Sequence, residues 1–288
     1  MIKKQKFMLI DSHSHLNFRD FNNDFKKVID RALKNGVYLI NASSNFSTSQ
    51  KAVEIAESFS FGVYTAVGLH PINIKQEGLL DQSKRPEDVL EDDFDYEKYK
   101  TLALKTAKGK IVAIGEIGLD YWKKPKTAGK LNLFKEKQKN IFLKQLNLAK
   151  ELNLPVIFHC RSAHEELLNI LKFQVSSYKL QGVIHCFTGT KEQAQEYLKM
   201  GFYLGFNGII FKLNLDEIIK MTPLDRILVE TDCPFLAPPQ IEPKRNEPIF
   251  VEYVIEKIAQ IKKESPEKIA QITTENAGKL FNLKKMIK

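Results

Sequence analysis

The chain has 288 residues, 43% of them apolar, which is enough to bury a large core and is a common length for one α/β barrel. Its 44 Lys and Arg against 35 Asp and Glu give a net charge of +9, which suits an anionic partner such as nucleic acid; a lysine-rich but non-binding surface is the alternative. No apolar run approaches the roughly 18 residues of a membrane span, and the four apolar residues before Asp11 are too few for a secretory signal. We therefore expect a soluble, cytoplasmic protein without a membrane segment or an obligate protein partner.

Short apolar runs alternate with stretches of helical spacing along nearly the whole chain. The runs predict strands at 7–10, 37–40, 61–67, 111–114, 154–158, 182–184, 202–206 and 227–229. The helical stretches lie at 21–33, 47–59, 131–152, 163–173, 190–200 and 214–220, and two more, 247–262 and 266–281, close the chain. Eight strands alternating with helices predict fold class α/β, a (β/α)8 TIM-type barrel with additional C-terminal helices, as a single domain over 1–288.

The connection between the third and fourth strands carries an acidic block at about 87–97. We interpret it as a solvated helix start, since carboxylates favour helix N-termini. Over the active site it would repel an anionic substrate, so we place it to one side.

Three cysteines, Cys160, Cys186 and Cys233, are too scattered for a disulfide framework. Each directly follows a polar residue at a strand end, so strand alternation points it away from that polar residue. We expect buried, inert thiols.

The first strand runs into Asp11-Ser12-His13-Ser14-His15. In an extended chain His13 and His15 project to the same side, although a short polar loop is the ordinary reading of an isolated His-x-His. Other strand ends carry similar residues: Glu116 follows the fourth strand, His159 the fifth, His185 the sixth and Asp232 the eighth. In a barrel the carboxyl ends of the strands converge, so we expect all six side chains to reach one pocket.

Imidazole nitrogens and carboxylate oxygens bind divalent ions such as Zn, Mg or Mn without any thiolate. Six ligands exceed one tetrahedral site but suit two ions bridged by a carboxylate. We assign the bridge to Glu116, with Gly115 and Gly118 leaving room for close approach. The predicted arrangement places His13, His15, Glu116 and Asp232 on one ion, and Glu116, His159 and His185 on the other, with Glu116 and Asp232 as the catalytic carboxylates. Such a pair supports hydrolysis, most naturally of a phosphoester.

Seven sequence blocks follow one another through the chain. They are Asp-Ser-His-Ser-His-Leu at 11–16, Gly-Leu-His-Pro at 68–71, Gly-Glu-Ile-Gly-Leu-Asp-Tyr at 115–121, Leu-Asn-Leu-Pro-Val-Ile-Phe-His-Cys-Arg at 152–161, His-Cys-Phe-Thr-Gly at 185–189, Glu-Thr-Asp-Cys-Pro at 230–234 and Arg-Asn-Glu-Pro at 245–248. On these blocks the chain resembles the TatD-like metal-dependent deoxyribonucleases of the amidohydrolase superfamily. The resemblance implies a TIM-type barrel, divalent ions at the six positions above, and cleavage of DNA as a 3′ to 5′ exonuclease.

Two alternatives stay open. The same metal site could act on an ester or amide bond, as in the deacylation of a D-aminoacyl-tRNA. A non-catalytic nucleic-acid-binding barrel is the other, but it predicts lost ligands, and all six are present. The connection at about 76–100 also looks longer than is usual in the family.

Several further residues are candidates for contact with substrate. Arg161 shares the face of His159 and could bind phosphate or form a surface ion pair. His70 could bind phosphate or cap the turn before Pro71. His164 could contact substrate or lie exposed at a helix start, and Arg245, beside Asn246, could bind phosphate or fix its loop.

Tyr121 and Trp122 follow Glu116 closely and could stack on a base, while Lys123, Lys124, Lys126 and Lys130 could track a nucleic-acid backbone. The alternative is an aromatic pair packed on the barrel rim beside a solvated lysine face. Two carboxylates have supporting roles: Glu230 is predicted to orient a ligand histidine, and Asp120 to lie behind the ligands.

Overall fold

Eight parallel strands, hydrogen-bonded in chain order, form a nearly closed barrel in the computed structural model, which describes residues 8–75, 90–177, 179–241 and 245–283. The strands are β1 (Leu9–Ser14), β2 (Val37–Ala42), β3 (Val63–Val67), β4 (Ile111–Asp120), β5 (Val156–Arg161), β6 (Gly182–Ile184), β7 (Tyr203–Phe206) and β8 (Ile227–Val229). The gap between β1 and β8 is spanned by backbone bonds, from His15 N to Cys233 O (2.8 Å) and from Asp232 N to His13 O (2.8 Å). The predicted (β/α)8 barrel is confirmed.

Helices connect the strands and follow the last one. They are α1 (Phe25–Lys34), α2 (Phe46–Glu57), α3 (Tyr96–Lys105), α4 (Ala128–Leu152), α5 (His164–Ser177), α6 (Lys191–Lys199), α7 (Asp216–Met221), α8 (Val251–Lys262) and α9 (Pro266–Leu280). The last two are the additional C-terminal helices that the sequence predicts. Among the described helices, none has the length and apolarity needed to cross a membrane.

The core has two parts because successive strand residues face opposite sides. Leu9, Leu39 and Phe158 belong to the larger cluster between strands and helices. Their neighbours Ile10, Ile40 and Ile157 belong to the smaller cluster inside the barrel, which also contains Ala277, Leu280 and Phe281. In α9, Thr274 Oγ1 donates to Met8 O and Asn276 Nδ2 to Ile227 O. The helix therefore closes the amino-terminal end of the barrel and leaves the carboxyl end open.

Strand β1 is longer than predicted and continues through His13 to Ser14, with His15 directly after it. The polar-loop alternative does not hold for residues 11–14, because their polar side chains are buried with hydrogen-bond partners. Asp11 Oδ2 accepts from Thr231 Oγ1 (2.6 Å), Ser12 Oγ donates to Val229 O (3.0 Å) and Ser14 Oγ donates to Ile40 O (3.1 Å). The motif is thus built into the barrel wall.

Strand β4 is also longer than predicted and is buried throughout. A Cβ at Gly115 would lie 2.7 Å from Ile157 Cβ, and one at Gly118, whose φ is +151°, would lie 2.0 Å from His159 O. The expectation that these glycines make room at the metal centre is therefore wrong. They allow β4 to lie against β5, with Gly118 paired to His159.

Two helices begin later than predicted, since the residues before them form short 3-10 turns. Residues 19–21 precede α1, and 248–250 precede α8. In the acidic connection, Asp95 Oδ1 accepts from Lys98 N (3.1 Å) and so caps α3, which agrees with the predicted helix start. Glu87 and Asp88 lie outside the described residues.

The cysteines are free. Cys160 and Cys233 are buried as expected, and burial raises the pKa of the Cys160 thiol to about 12. Cys186 is only half-buried: it lies beyond β6 with φ at 44°, so strand alternation does not apply to it.

Candidate metal centre

Side chains from six strand ends meet at the open end of the barrel. His13 Nε2 and His15 Nε2 lie 3.0 Å apart, and both face Glu116 Oε2, at 3.2 and 3.8 Å. Asp232 Oδ1 lies 3.3 Å from His15 Nε2 and 3.8 Å from His13 Nε2. These four residues form a cluster of nitrogen and oxygen donors with very little solvent exposure.

The second carboxylate oxygen of Glu116 faces a different set of imidazoles. Its Oε1 lies 2.6 Å from His159 Nδ1 and 3.3 Å from His70 Nε2. Glu116 therefore presents one oxygen to each of two donor groups, which is the geometry a bridging carboxylate needs. Within the described part of the chain, the triads that could hold an ion are His13/His15/Glu116, His13/His185/Asp232 and His70/Glu116/His159.

His185 lies between the two groups rather than with His159 alone. Its Nε2 is 3.7 Å from Asp232 Oδ1 and 3.8 Å from Glu116 Oε1, and its ring stacks on His13 with centroids 3.5 Å apart. The predicted arrangement places His185 on the same ion as His159. The distances do not favour either donor group for this residue.

His70 also belongs to the cluster, although the sequence analysis treats it as a phosphate contact or a turn cap rather than as a possible ligand. Its Nδ1 accepts from Ile72 N (3.0 Å), so it does cap the turn before the 3-10 segment at 71–73. The same ring also reaches Glu116, which the sequence interpretation missed. The available signal was its place directly after the third strand, at the same end of the barrel as the other histidines.

Three of the histidines are held by partners behind them. His15 Nδ1 lies 3.1 Å from Ala42 O, His159 Nε2 lies 3.1 Å from Asp120 Oδ2, and His185 Nδ1 lies 2.8 Å from Glu230 Oε1. Such contacts set the tautomer and orientation of an imidazole ligand. Asp120 thus lies against His159 and Glu230 against His185, and the role of these histidines as metal ligands stays a prediction.

Glu230 is itself fixed by neighbours. Its Oε1 accepts from Cys186 N (2.8 Å) and from Asn207 Nδ2 (3.1 Å) in addition to its contact with His185. Asn207 was not singled out from the sequence, since a lone Asn after a strand carries no distinctive signal.

The electrostatics of the centre favour positive charge. Burial disfavours the charged forms of His159 and His185, but the surrounding carboxylates outweigh it. Asp120 and Glu116 raise the pKa of His159 to about 9, and Glu230, Glu116 and Asp232 raise that of His185 to about 10. Burial acts against an ionised Glu116, yet His70, His185 and His13 hold its pKa well below the usual range.

The donor set fits divalent cations. It consists of imidazole nitrogens and carboxylate oxygens, converging from several strands on one small volume, with no thiolate among them. The protons drawn onto His159 and His185 are held by the same carboxylates that would attract a cation. Protons and metal would therefore compete for these atoms.

Two arginines proposed as phosphate ligands are engaged by carboxylates. Arg161 reaches Asp120 Oδ2 with Nε (2.9 Å) and Nη2 (2.6 Å), although its side chain is 44% exposed. Arg245 makes a two-pronged contact with Asp24 (3.0 and 2.7 Å) and another with Glu247 (2.9 Å). The structure favours the loop-fixing alternative for Arg245, since Asn246 beside it also donates to two backbone carbonyls.

The remaining candidates divide by burial. Tyr121 is buried with its ring 5.9 Å from that of Phe134, so it belongs to the packed alternative and is not free to stack on a base. Trp122 is 65% exposed.

His164 is buried, which overturns the exposed alternative. Its Nδ1 lies 3.1 Å from Tyr197 Oη, and burial lowers its pKa to about 4. Trp122, Arg161 and His164 line one groove of about 1100 Å³.

Comparison with known proteins places these observations in a family context. The family model described as "TatD related DNase" matches residues 10–282. The chain is 41% identical to the uncharacterized metal-dependent hydrolase YabD of Bacillus subtilis, covering 96% of this chain and 100% of that one. It is 33% identical to the 3′-5′ ssDNA/RNA exonuclease TatD of Citrobacter rodentium (96% and 98% covered). Among solved structures, it is similar to YJJV, a TatD homolog from Escherichia coli K12, with a TM-score of 0.78, 29% identity, and 95% and 98% of the two chains covered.

Proposed function

The chain belongs to the TatD-related DNase family, and from this premise we propose that it is a divalent-metal-dependent deoxyribonuclease that removes nucleotides from the 3′ end of DNA. The observation that carries the proposal is the position of Glu116, whose two carboxylate oxygens face separate groups of imidazoles. That arrangement supports two ions of Zn, Mg or Mn. The name of the Citrobacter relative, an exonuclease on ssDNA and RNA, supports the substrate class.

The residues would divide the work as follows. His13 and His15 face one oxygen of Glu116, with Asp232 beside them. His159 faces the other oxygen, and His185 lies between the two groups. Bound divalent ions supply hydroxide at neutral pH and neutralise the charge that develops on a phosphoryl group. The chain's own part is orientation: Glu230 holds His185, Asp120 holds His159, and α9 closes the far end of the barrel so that substrate enters only from the carboxyl side.

The test uses end-labelled single-stranded DNA, double-stranded DNA and RNA, each incubated with Mg²⁺, Mn²⁺ or Zn²⁺. We expect mononucleotides to appear from the 3′ end of DNA. Glu116→Gln keeps the size of the side chain but removes the bridging charge, so the rate should fall by at least about 100-fold. Glu217→Gln, on the exposed face of α7, is the matched control.

Equal product traces from wild type and Glu116→Gln with every metal would overturn the proposal. A ladder of internal fragments would replace the exonuclease assignment with an endonuclease. Metal analysis at saturation is expected to give two ions per chain, and a clearly lower value would rule out the dinuclear centre.

A further inference from the structure

We infer that Trp122 is a stacking platform for a nucleobase and that the lysines after it form a track leading single-stranded nucleic acid into the metal centre. The inference rests on the proposed function and names the form of substrate that the site takes. It is carried by the exposure of Trp122, by its connection to the centre, and by the positive charge of the lysines that follow it.

Trp122 is held in place while its ring faces solvent. Its backbone N donates to Asp120 Oδ1 (3.0 Å), and its neighbour Tyr121 anchors the segment by packing into the core. The Trp122 side chain is nevertheless 65% exposed, and Leu213, another lining residue of the same groove, is 44% exposed. A large aromatic ring left in water beside a groove indicates a surface that a ligand covers.

A continuous series of contacts joins this ring to the metal centre. Glu116 Oε1 contacts His159 Nδ1 (2.6 Å), and His159 Nε2 contacts Asp120 Oδ2 (3.1 Å). Asp120 in turn binds Arg161, whose guanidinium carbon lies 5.9 Å from the centre of the Trp122 ring. Trp122 therefore lies on the same rim of the barrel as the metal centre, where a strand whose 3′ end lies at the centre would pass the ring.

The segment that follows Trp122 is rich in positive charge. Residues 121–135 contain five lysines and no Asp or Glu. Of these, Lys124, Lys126 and Lys130 are exposed, and none of the three forms an ion pair with another described residue. Elsewhere lysines are commonly paired, as Lys100 is with Glu151 and Lys144 with Asp93. This charge complements a phosphate backbone.

The groove itself carries carboxylates. Glu165 and Glu166 line it, and Glu166 is partly offset by Lys135 at 3.5 Å. Phosphates are therefore favoured outside the groove, along Lys124, Lys126 and Lys130, which directs the bases toward the groove. A base can reach the platform only when it is unstacked from its neighbours, so the track fits a single strand rather than a duplex.

The first test uses intrinsic fluorescence, because Trp122 is the chain's sole tryptophan. Full-length Glu116→Gln protein with Mg²⁺, and wild type in EDTA, are titrated with an oligothymidylate and with an abasic oligomer of the same length. We expect saturable quenching by the oligothymidylate and little by the abasic oligomer. Equal quenching of Trp122 fluorescence by the two oligomers would overturn the stacking role. The absence of quenching in both protein samples would overturn it as well.

The second test is kinetic. Base stacking on an aromatic ring is worth about 1–3 kcal/mol, so Trp122→Ala should raise KM for single-stranded DNA by about 5- to 150-fold with kcat little changed. Trp122→Phe should restore most of the affinity. Phe61→Ala is the matched control, since Phe61 is also exposed (55%) but lies before β3 at the other end of the barrel. The penalty for an abasic 3′ nucleotide should disappear in Trp122→Ala.

The third test concerns the lysines. Each phosphate contact to a single strand adds about 0.7 to the slope of log affinity against log salt. The triple variant Lys124→Gln, Lys126→Gln and Lys130→Gln should therefore reduce that slope by about 2. The control triple variant Lys105→Gln, Lys108→Gln and Lys279→Gln changes exposed lysines at the opposite end of the barrel and should leave the salt slope unchanged. Equal slopes for both triple variants would overturn the track.

The failures are distinguishable. If DNA is cleaved but Trp122→Ala behaves as Phe61→Ala does, the platform is wrong and the proposed function stands. If bases quench Trp122 but no nucleic acid is cleaved, the proposed function is wrong and the binding track stands. Equal affinity for duplex and single strand would contradict the assignment of the partner.

Discussion

Replacing Glu230 by Gln tests how far a residue behind the ligands controls the metal centre. The Glu230 carboxylate is fully buried, and one of its oxygens serves His185 Nδ1, Cys186 N and Asn207 Nδ2 at 2.8, 2.8 and 3.1 Å. Gln has nearly the same shape and can still accept the bonds from Cys186 N and Asn207 Nδ2, but it has no charge to attract His185. Removing that charge should cost His185 about 1–2 kcal/mol of support as a ligand, the order that partners behind ligand histidines contribute.

That loss corresponds to roughly 10-fold weaker metal binding, and disturbed ring orientation extends the range to about 100-fold. The measurement is isothermal titration of chelated protein with Mn²⁺ or Zn²⁺, with activity followed against metal concentration. We expect Glu230→Gln to need 10 to 100 times more metal and to recover most of its rate at saturation. Glu217→Gln should titrate as wild type does. An unchanged metal affinity in a folded Glu230→Gln protein would refute the role of the carboxylate.

Three further predictions concern stability. Gly118→Ala should lower the free energy of unfolding by about 2–5 kcal/mol in chemical denaturation, because its Cβ would meet His159 O at 2.0 Å and φ is +151°. Gly129→Ala is the control: this position has open space around it, so the substitution should stabilise α4 by about 0.5–1 kcal/mol. An unchanged stability of Gly118→Ala would contradict the β4–β5 packing. Arg245→Ala should cost about 1–2 kcal/mol at neutral pH. Arg245 lowers the pKa of Asp24, so this contribution is present above the usual Asp range and is lost as pH falls through the lowered pKa. The difference between the two proteins in free energy of unfolding should therefore shrink as pH falls through that range. Adding divalent metal at 100 times Kd to protein stripped of metal by a chelator should stabilise it by about 2.7 kcal/mol per site, which is about 5 °C in a thermal melt. The shift in Tm should be clearly smaller for Glu116→Gln. No shift for either protein would contradict the metal centre.

The barrel was predictable because its strands are continuous apolar runs, typical of parallel sheets buried on both faces. The boundaries of β1 and β4 were not, since both strands continue into polar or glycine-containing residues. Asp11 is compatible with a buried strand only because Thr231, 220 positions away, donates to it from both its backbone N and its hydroxyl. No local pattern in the sequence contains that information.

The convergence of His13, Glu116, His159 and Asp232 followed from strand-end position alone, because a barrel gathers those ends at one place. Orientation did not follow. The sequence places Arg161 one strand step beyond His159, but only the structure shows that its guanidinium is bound to Asp120. In the same way, the sequence treats Tyr121 and Trp122 as one pair, and only the structure shows that Tyr121 packs near Phe134 of α4 while Trp122 is exposed.

The β4–β5 pair explains why chemistry and base recognition would occur side by side in this barrel. The register that pairs Gly118 with His159 also pairs Asp120 with Arg161. Because Gly118 lets the two backbones approach, His159 can contact Glu116 with one ring nitrogen and Asp120 with the other. Asp120 then positions both Arg161 and the backbone of Trp122. A seven-residue stretch from Glu116 to Trp122 would thereby supply the proposed bridging carboxylate, the carboxylate that orients its neighbouring histidine, and the proposed aromatic platform. A shift of β4 against β5 would disturb all three together, so in the proposed complex strand register rather than a loop sets the spacing between the scissile phosphate and the stacked base.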